Sequence, residues 1–380
     1  MRILQVLPSF ASEWGGPPKV VYQIAESLKH QFEIDILTTS SPGDDLVEVP
    51  EGVNFINLQR TFLHRFWKSH SLQMLDFVKE NITNYDLVHI HEIWLYHLFV
   101  AGRASVLKNV PFVVSPHGEL DPWALNYKGF KKKIFTQIFQ RKLFQHATAF
   151  HALTQKEADE ISNYCRAKSP PVYIIPNALP ATATLVGTDA ATLPSTSEPY
   201  ILFLSRINIK KGCDLLLQAY AKWLHNKKYK LVIAGTGDPS AYLDNIKELA
   251  NTLGINQQVI FAGAVYGNQK KALYKNASLF VLPSLAEGLP VVLLEAMQAG
   301  CPMLISNNCG INQLLEKEKI SIVCNATIDS ILQGLDNFLH LTPTEITYIK
   351  KHSPIVLQQY FSNEIVTEKY ISMYKEILAW

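Results

Sequence analysis

Residues 278–307 read SLFVLPSLAEGLPVVLLEAMQAGCPMLISN. SLFVLPS is a short apolar run closed by Pro283 and Ser284, as expected of a strand covered on both faces. PVVLLEAMQAG carries the apolar spacing of a helix, and PMLISN is a second strand. Strand, helix and strand in succession make a right-handed βαβ unit, the building block of a doubly wound parallel sheet. The same stretch poses a chemical question. Glu287 lies in the Gly/Pro-marked loop, and Glu295 lies inside a run that otherwise reads as core.

The pattern extends both ways. YILFLSR, YKLVIAGTG and QVIFAG are strands, separated by the helical stretches CDLLLQAYAKWL, AYLDNIKELANTLG and NQKKALYKN. The N-terminal half repeats the alternation. RILQVLPS, FEIDILTT, VNFINL, DLVHIH, PFVVSPHG, HATAFHALT and VYIIPNA read as strands, and PPKVVYQIAESLKH reads as an amphipathic helix with Pro17 in its first turn. Residues 181–199, ATATLVGTDAATLPSTSEP, are small and weakly periodic and read as a linker. The expected fold is α/β, with one doubly wound Rossmann-like domain over 1–180 and a second over 200–360. The two face a central cleft. The last segment, within 361–380, is a separate amphipathic helix.

Composition agrees with two soluble domains. The chain has 380 residues, 48% of them hydrophobic, and a formal net charge of +2. That charge gives no reason to expect nucleic acid. The five cysteines, Cys165, Cys213, Cys301, Cys309 and Cys324, form no C-x-x-C pair and suit a reducing cytosol. No apolar run is long enough to span a membrane, and the N-terminus lacks the apolar core of a signal peptide, so a cytoplasmic location is expected.

Ligands of doubly wound sheets sit outside the carboxyl ends of strands, near helix N-termini. The notable residues fall there. Arg206 and Lys211 lie between a strand and a helix, and Gly212 opens the helix entry. Two cations in one such loop suit a diphosphate. Gly235 and Gly237 follow the next strand and permit close backbone approach, although the third glycine of a dinucleotide fingerprint is missing. At the start of the helical stretch PVVLLEAMQAG, Pro290 has no N–H, leaving Leu289, Val291 and Val292 as donors. One glutamate on each side of a phosphate site is what a nucleotide sugar needs. Because Lys211 and Glu287 stand in loops, truncating either is expected to cost little stability.

This ordered set resembles the retaining glycosyltransferases of family four, which have the GT-B fold. The likeness runs through SRINIKKG, IAGTGD, VIFAGAV, LYKNASLFVLPS, EGLPVVLLE with its E-x7-E spacing, and AMQAGCP. In the first half it includes GGPPKVVYQIAESL, DLVHIHEIW, SPHG and IIPNA. The resemblance implies that Glu287 contacts hydroxyls of the donor sugar, Glu295 holds the ribose, and Arg206 and Lys211 bind the diphosphate. It implies that Gly15 and Gly16 form a loop closing on the donor phosphates and that His117 sits by the sugar. It further implies that the terminal helix crosses back onto the first domain. Many members read E-G-F-G where this chain has Glu287, Gly288, Leu289 and Pro290. No D-x-D motif is present, so the cations are expected to replace a metal, and no cofactor is expected. Retention by front-face attack follows from the resemblance alone. UDP-glucose is the first expectation for the donor, because UDP-sugars are common among relatives.

The N-terminal half is expected to hold the acceptor, a glycan or a lipid-linked acceptor of polysaccharide or glycoconjugate synthesis. His91, Glu92 and Glu119 are weaker candidates beside His117. Residues 122–156 contain seven Lys or Arg and no Asp or Glu, interleaved with aromatics. The stretch 122–144 is therefore expected to meet an anionic membrane surface, against the plainer reading of a solvated helix with core aromatics. Two alternatives remain beside a hexosyltransferase: a nucleotide-sugar 2-epimerase, and a silent sugar-binding partner of another transferase.

Overall fold

The computed structural model describes residues 1–126, 140–165, 170–179, 198–223, 228–237 and 242–379. The chain forms two compact units. One is Met1–Ala178 together with Asn363–Trp380, and the other is Leu179–Ser362. Most of the stretch read as a linker, and Lys128, Lys131, Lys132 and Lys133 of the basic stretch, lie outside the described residues.

The first unit holds seven parallel strands: β1 (Arg2–Val6), β2 (Glu33–Ser40), β3 (Asn54–Gln59), β4 (Leu87–His91), β5 (Phe112–Ser115), β6 (Ala149–Ala152) and β7 (Val172–Ile174). Their order is β3-β2-β1-β4-β5-β6-β7, so the winding reverses between β1 and β4. In register, Gln5 lies opposite His89, and His91 opposite Ser115. Every residue of β4 is buried, as a strand covered on both faces requires. The helix Gly16–Leu28 and the terminal helix Asn363–Leu378 share one core with β1, β2, β5 and β6. Val366, Tyr370, Met373, Tyr374 and Ile377 are the buried stripe of the terminal helix. The helices Leu72–Asn81 and Tyr96–Lys108 help to form a second core cluster of the unit.

The second unit holds six parallel strands: β8 (Tyr200–Leu204), β9 (Lys230–Ala234), β10 (Val259–Gly263), β11 (Leu279–Leu282), β12 (Met303–Ser306) and β13 (Ser321–Cys324). The order β10-β9-β8-β11-β12-β13 repeats the plan of the first sheet and reverses between β8 and β11. SLFVLPS supplies β11, and the helix after it is Val291–Gln298. Helix Pro343–Phe361 starts in a capping box made by Thr342 and Glu345.

One aromatic of the basic stretch is not a surface residue. Phe144 is buried on Phe150 and Tyr164, so it belongs to the core and cannot meet a membrane. Among the described residues no helix is long and apolar enough to cross a membrane.

Candidate functional site

In the second sheet the loops after β8 and β11 flank the reversal of strand order. They are pinned together, since the Leu285 amide donates to the Lys210 carbonyl at 2.8 Å. The Glu287 amide donates to Asn308, and the Gly310 amide to Gly288, which ties in the loop after β12. Gly212 takes φ +67°, and a Cβ there would stand 2.3 Å from the Pro283 carbonyl oxygen. Only glycine lets these loops approach so closely.

A nearly buried charge contact joins Lys211 and Glu287. The Lys211 ammonium donates to Glu287 Oε1, and the two side chains are only 12% and 8% exposed. Burial would push the Glu287 carboxyl up, but the Lys211 and Lys210 charges and hydrogen bonds from Lys211 and Ser284 outweigh it and hold the carboxyl below its ordinary range. Glu287 is therefore a fixed carboxylate. Lys211 keeps two further N–H donors, and Glu287 keeps free lone pairs. Arg206, by contrast, is exposed, and no carboxylate pairs with it among the described residues.

Glu295 is held too. Its Oε1 accepts from Lys270 at 2.6 Å, and its Oε2 from the Tyr274 hydroxyl at 3.0 Å. The carboxylate is 22% exposed and retains lone pairs for a diol. Pro290 is the N-cap of helix Val291–Gln298, so the helical amides begin at Val291 and Leu289 lies before the cap. Val291 and Val292, both half-buried, carry the positive end of that helix. The two other glycines have packing reasons. Gly235 takes φ +133° with its Cβ position 1.9 Å from the Ser205 carbonyl oxygen, and a Cβ on Gly237 would meet Leu243 at 2.8 Å. Among the described residues no group of three or more His, Cys, Asp or Glu side chains is placed to hold a metal ion.

In the first sheet the residues of interest again gather near the reversal. Gly15 caps helix Gly16–Leu28 at φ 96°, ψ −120°, a region open only to glycine. Beside it the Trp14 indole donates to Glu92 Oε2 at 2.7 Å, joining the glycine loop to the end of β4. Glu92 itself sits at φ 67°. Glu119 Oε2 accepts the Ile93 amide at 2.7 Å. Both carboxylates thus brace backbone and loop, whatever else they contact.

His117 is half-buried and adopts φ 54°, an unusual backbone for a residue with a side chain. The turn is locked from behind by buried Glu157, whose two oxygens accept the amides of Gly118 at 2.6 Å and Leu153 at 2.8 Å. His117 Nε2 lies 3.0 Å from His91 Nδ1. Burial, then the neighbouring His151, holds His117 down to about 3, a neutral ring at physiological pH. His91 is 0% exposed, with its other nitrogen on Gln5 at 2.8 Å. It offers no atom to an acceptor and instead supports His117, contrary to the expectation from sequence.

Trp14, Glu157, Lys270 and Tyr274 were not singled out from sequence. Lys270 and Tyr274 are four apart on helix Gly267–Asn276, a spacing that puts both on one face, but nothing in sequence links that face to Glu295.

The family model described as "Glycosyl transferases group 1" matches residues 188–352, and "Glycosyltransferase Family 4" matches residues 14–182. An uncharacterized glycosyltransferase of Methanocaldococcus jannaschii is 29% identical over 86% of this chain and 87% of the relative. Sucrose-phosphate synthase from Thermosynechococcus elongatus superposes with TM-score 0.79 at 18% identity, covering 100% of both chains. Anabaena HepE in complex with UDP and glucose superposes with TM-score 0.73 at 15% identity, covering 99% of both. Two wound sheets of the same strand order, a family-4 match on the first half and a group 1 match on the second lead to one assignment: the chain is a family-4 glycosyltransferase of the GT-B fold.

Proposed function

We propose that the chain transfers a hexose from a nucleotide diphosphate sugar, UDP-glucose first, to a sugar or lipid-linked acceptor, with retention and without a metal. The observation that carries this is the Lys211–Glu287 pair at the switch point of the second sheet, with Arg206 exposed on the same loop as Lys211. Breaking the bond to a nucleotide diphosphate puts negative charge on the leaving phosphate. Arg206, the remaining Lys211 donors and the amides of Val291 and Val292 are the groups that stabilise it. Glu287, fixed as a carboxylate, accepts sugar hydroxyls, and Glu295 accepts the ribose diol. His117 contacts the sugar, as the family resemblance implies. Retention follows by front-face attack, with the leaving phosphate oxygen taking the acceptor's proton. Support for the donor comes from the HepE structure solved with UDP-glucose. None of the relatives named above lends weight to a 2-epimerase.

A lipid-linked acceptor gains support from the first unit. Phe62 and Phe66 are 79% and 86% exposed, beside Arg65 and Lys68.

The test is a panel of nucleotide hexoses with candidate acceptors, read as nucleoside diphosphate released only when acceptor is present, with and without EDTA. Release from UDP-glucose that EDTA leaves intact is expected. Release that needs no acceptor would point to hydrolysis, and loss with EDTA restored by magnesium or manganese would overturn metal independence.

A further inference from the structure

A hydrogen-bonded chain runs inward from His117, and one acceptor at its far end sets the direction of every bond in it. The carbonyl oxygen of Ile175 lies 2.8 Å from His151 Nε2. A carbonyl only accepts, so Nε2 carries the proton and His151 Nδ1 is bare. Ser115 must then donate to that Nδ1, at 2.7 Å, and accept from His89 Nε2, at 2.6 Å. His89 Nδ1 is bare in turn and takes the Tyr374 hydroxyl proton, at 2.7 Å. The Tyr374 oxygen accepts from Gln5 Nε2 at 3.0 Å, which turns the Gln5 carbonyl oxygen toward His91 Nε2 at 2.8 Å. His91 is protonated there, and its Nδ1 accepts from His117 Nε2 at 3.0 Å. His117 is left with a lone pair on Nδ1.

The reverse direction fails at one place. It would set a bare His151 Nε2 against the Ile175 oxygen, two lone pairs 2.8 Å apart. Among the described residues the Tyr370 hydroxyl is the other donor in reach of that nitrogen, and at 3.4 Å it is too long to compensate. Charging a ring is disfavoured, because His89, His91 and His151 are buried and none is hydrogen-bonded to a carboxylate.

We infer that His151, Tyr374 and Gln5 are positioning residues that present His117 as a neutral ring with a bare Nδ1. The group His117 meets is then a hydroxyl that donates, not a phosphate or carbonyl that accepts. This rests on the reading of His117 as a sugar contact. Tyr374 arrives on the terminal helix, so a residue 257 positions from His117 in sequence takes part in setting its tautomer.

The experiment uses full-length protein labelled with 15N-histidine and a long-range 1H–15N correlation spectrum, without donor or acceptor. Four neutral rings protonated at Nε2 are expected for His89, His91, His117 and His151, assigned by single substitution. Protonation of His117 at Nδ1, or an imidazolium at neutral pH, would overturn the inference. Tyr374→Phe frees Gln5 to turn over, so His117 should show both tautomers, and kcat should fall about tenfold with the donor KM unchanged. Tyr370→Phe removes a hydroxyl from the same helix outside the chain and should leave spectrum and turnover as they are. Equal losses in both variants would mark Tyr374 as merely structural. The spectrum decides the tautomer whether or not nucleotide-sugar transfer proves to be the reaction.

Discussion

Lys211 and Glu287 stand 76 positions apart and form a nearly buried ion pair between two loops of the second sheet. The pair joins what sequence presents as two separate loop charges. It also changes the expected cost of removing either. A loop residue in water is cheap to truncate, whereas one partner of a buried pair leaves the other uncompensated.

The first prediction is that Lys211→Met and Glu287→Leu each destabilise the second unit by about 3–5 kcal/mol. Each should also lower transfer by about 100-fold or more. The double variant should regain most of the stability and none of the activity. A double-mutant cycle by chemical denaturation, run beside turnover, checks both. The sign of the pH effect follows from Glu287, whose folded pKa is lowered from 4.5. Its stabilisation is present above the unfolded value and is lost as pH falls through the folded value, so the variants and the parent should converge in strong acid.

A second prediction concerns acid and the first unit. Burial holds His89 and His91 well below 6.5, His151 down to about 4 and His117 to about 3. Between those values and 6.5 the unfolded chain binds protons that the folded chain does not, so stability falls as pH drops through that window. Other histidines and Tyr370 and Tyr374 face these rings, with Glu157 the near carboxylate. The first unit should therefore lose amide protection at a higher pH than the second. Hydrogen exchange followed by mass spectrometry from pH 7 to pH 4 reads each unit separately, and simultaneous loss in both would contradict it.

The fold was legible because each βαβ unit announces itself locally: β11 and its helix are apolar runs of opposite period. Strand β13 is less legible, because it is only half-buried and carries no long apolar run. In the site, charged residues in loops after strands could be read one at a time. Their partners could not, since Lys270 reaches Glu295 and Tyr374 reaches His89 only through tertiary packing. The burial of His91 is hidden in sequence for the same reason. A strand-end histidine looks alike in sequence whether it meets a ligand or, as here, is fully buried with both nitrogens engaged.

The third prediction separates glycines that the backbone needs from one it does not. Gly235→Ala places a methyl 1.9 Å from the Ser205 carbonyl oxygen in a positive-φ backbone, and Gly212→Ala places one 2.3 Å from that of Pro283. Each should cost about 3 kcal/mol or more, through clash and strain together. Gly16→Ala meets nothing within 4 Å and should leave the melting temperature nearly unchanged. Thermal denaturation of the three variants checks the ranking, and a Gly16 variant as unstable as the other two would refute it.

The last prediction tests membrane docking and separates two surfaces. Phe144 is core, which weakens the case for the whole 122–144 stretch, while Phe62 and Phe66 are exposed rings with Arg65 and Lys68 beside them. Aromatic rings favour the interface between headgroups and acyl chains, and each adjoining cation adds about 1 kcal/mol near an anionic leaflet. Salt screens the second contribution and leaves the first. Binding to anionic vesicles should therefore weaken in high salt without vanishing, and neutral vesicles should bind poorly. Phe62→Ser with Phe66→Ser should abolish the salt-resistant part. Lys131, Lys132 and Lys133 changed together to Glu should remove the salt-sensitive part if that stretch also docks. Cosedimentation at low and high salt gives both components. Wild-type binding in the Phe62 and Phe66 variant would remove this loop from the interface, and no binding of the parent at low salt would make a water-soluble glycan the better acceptor.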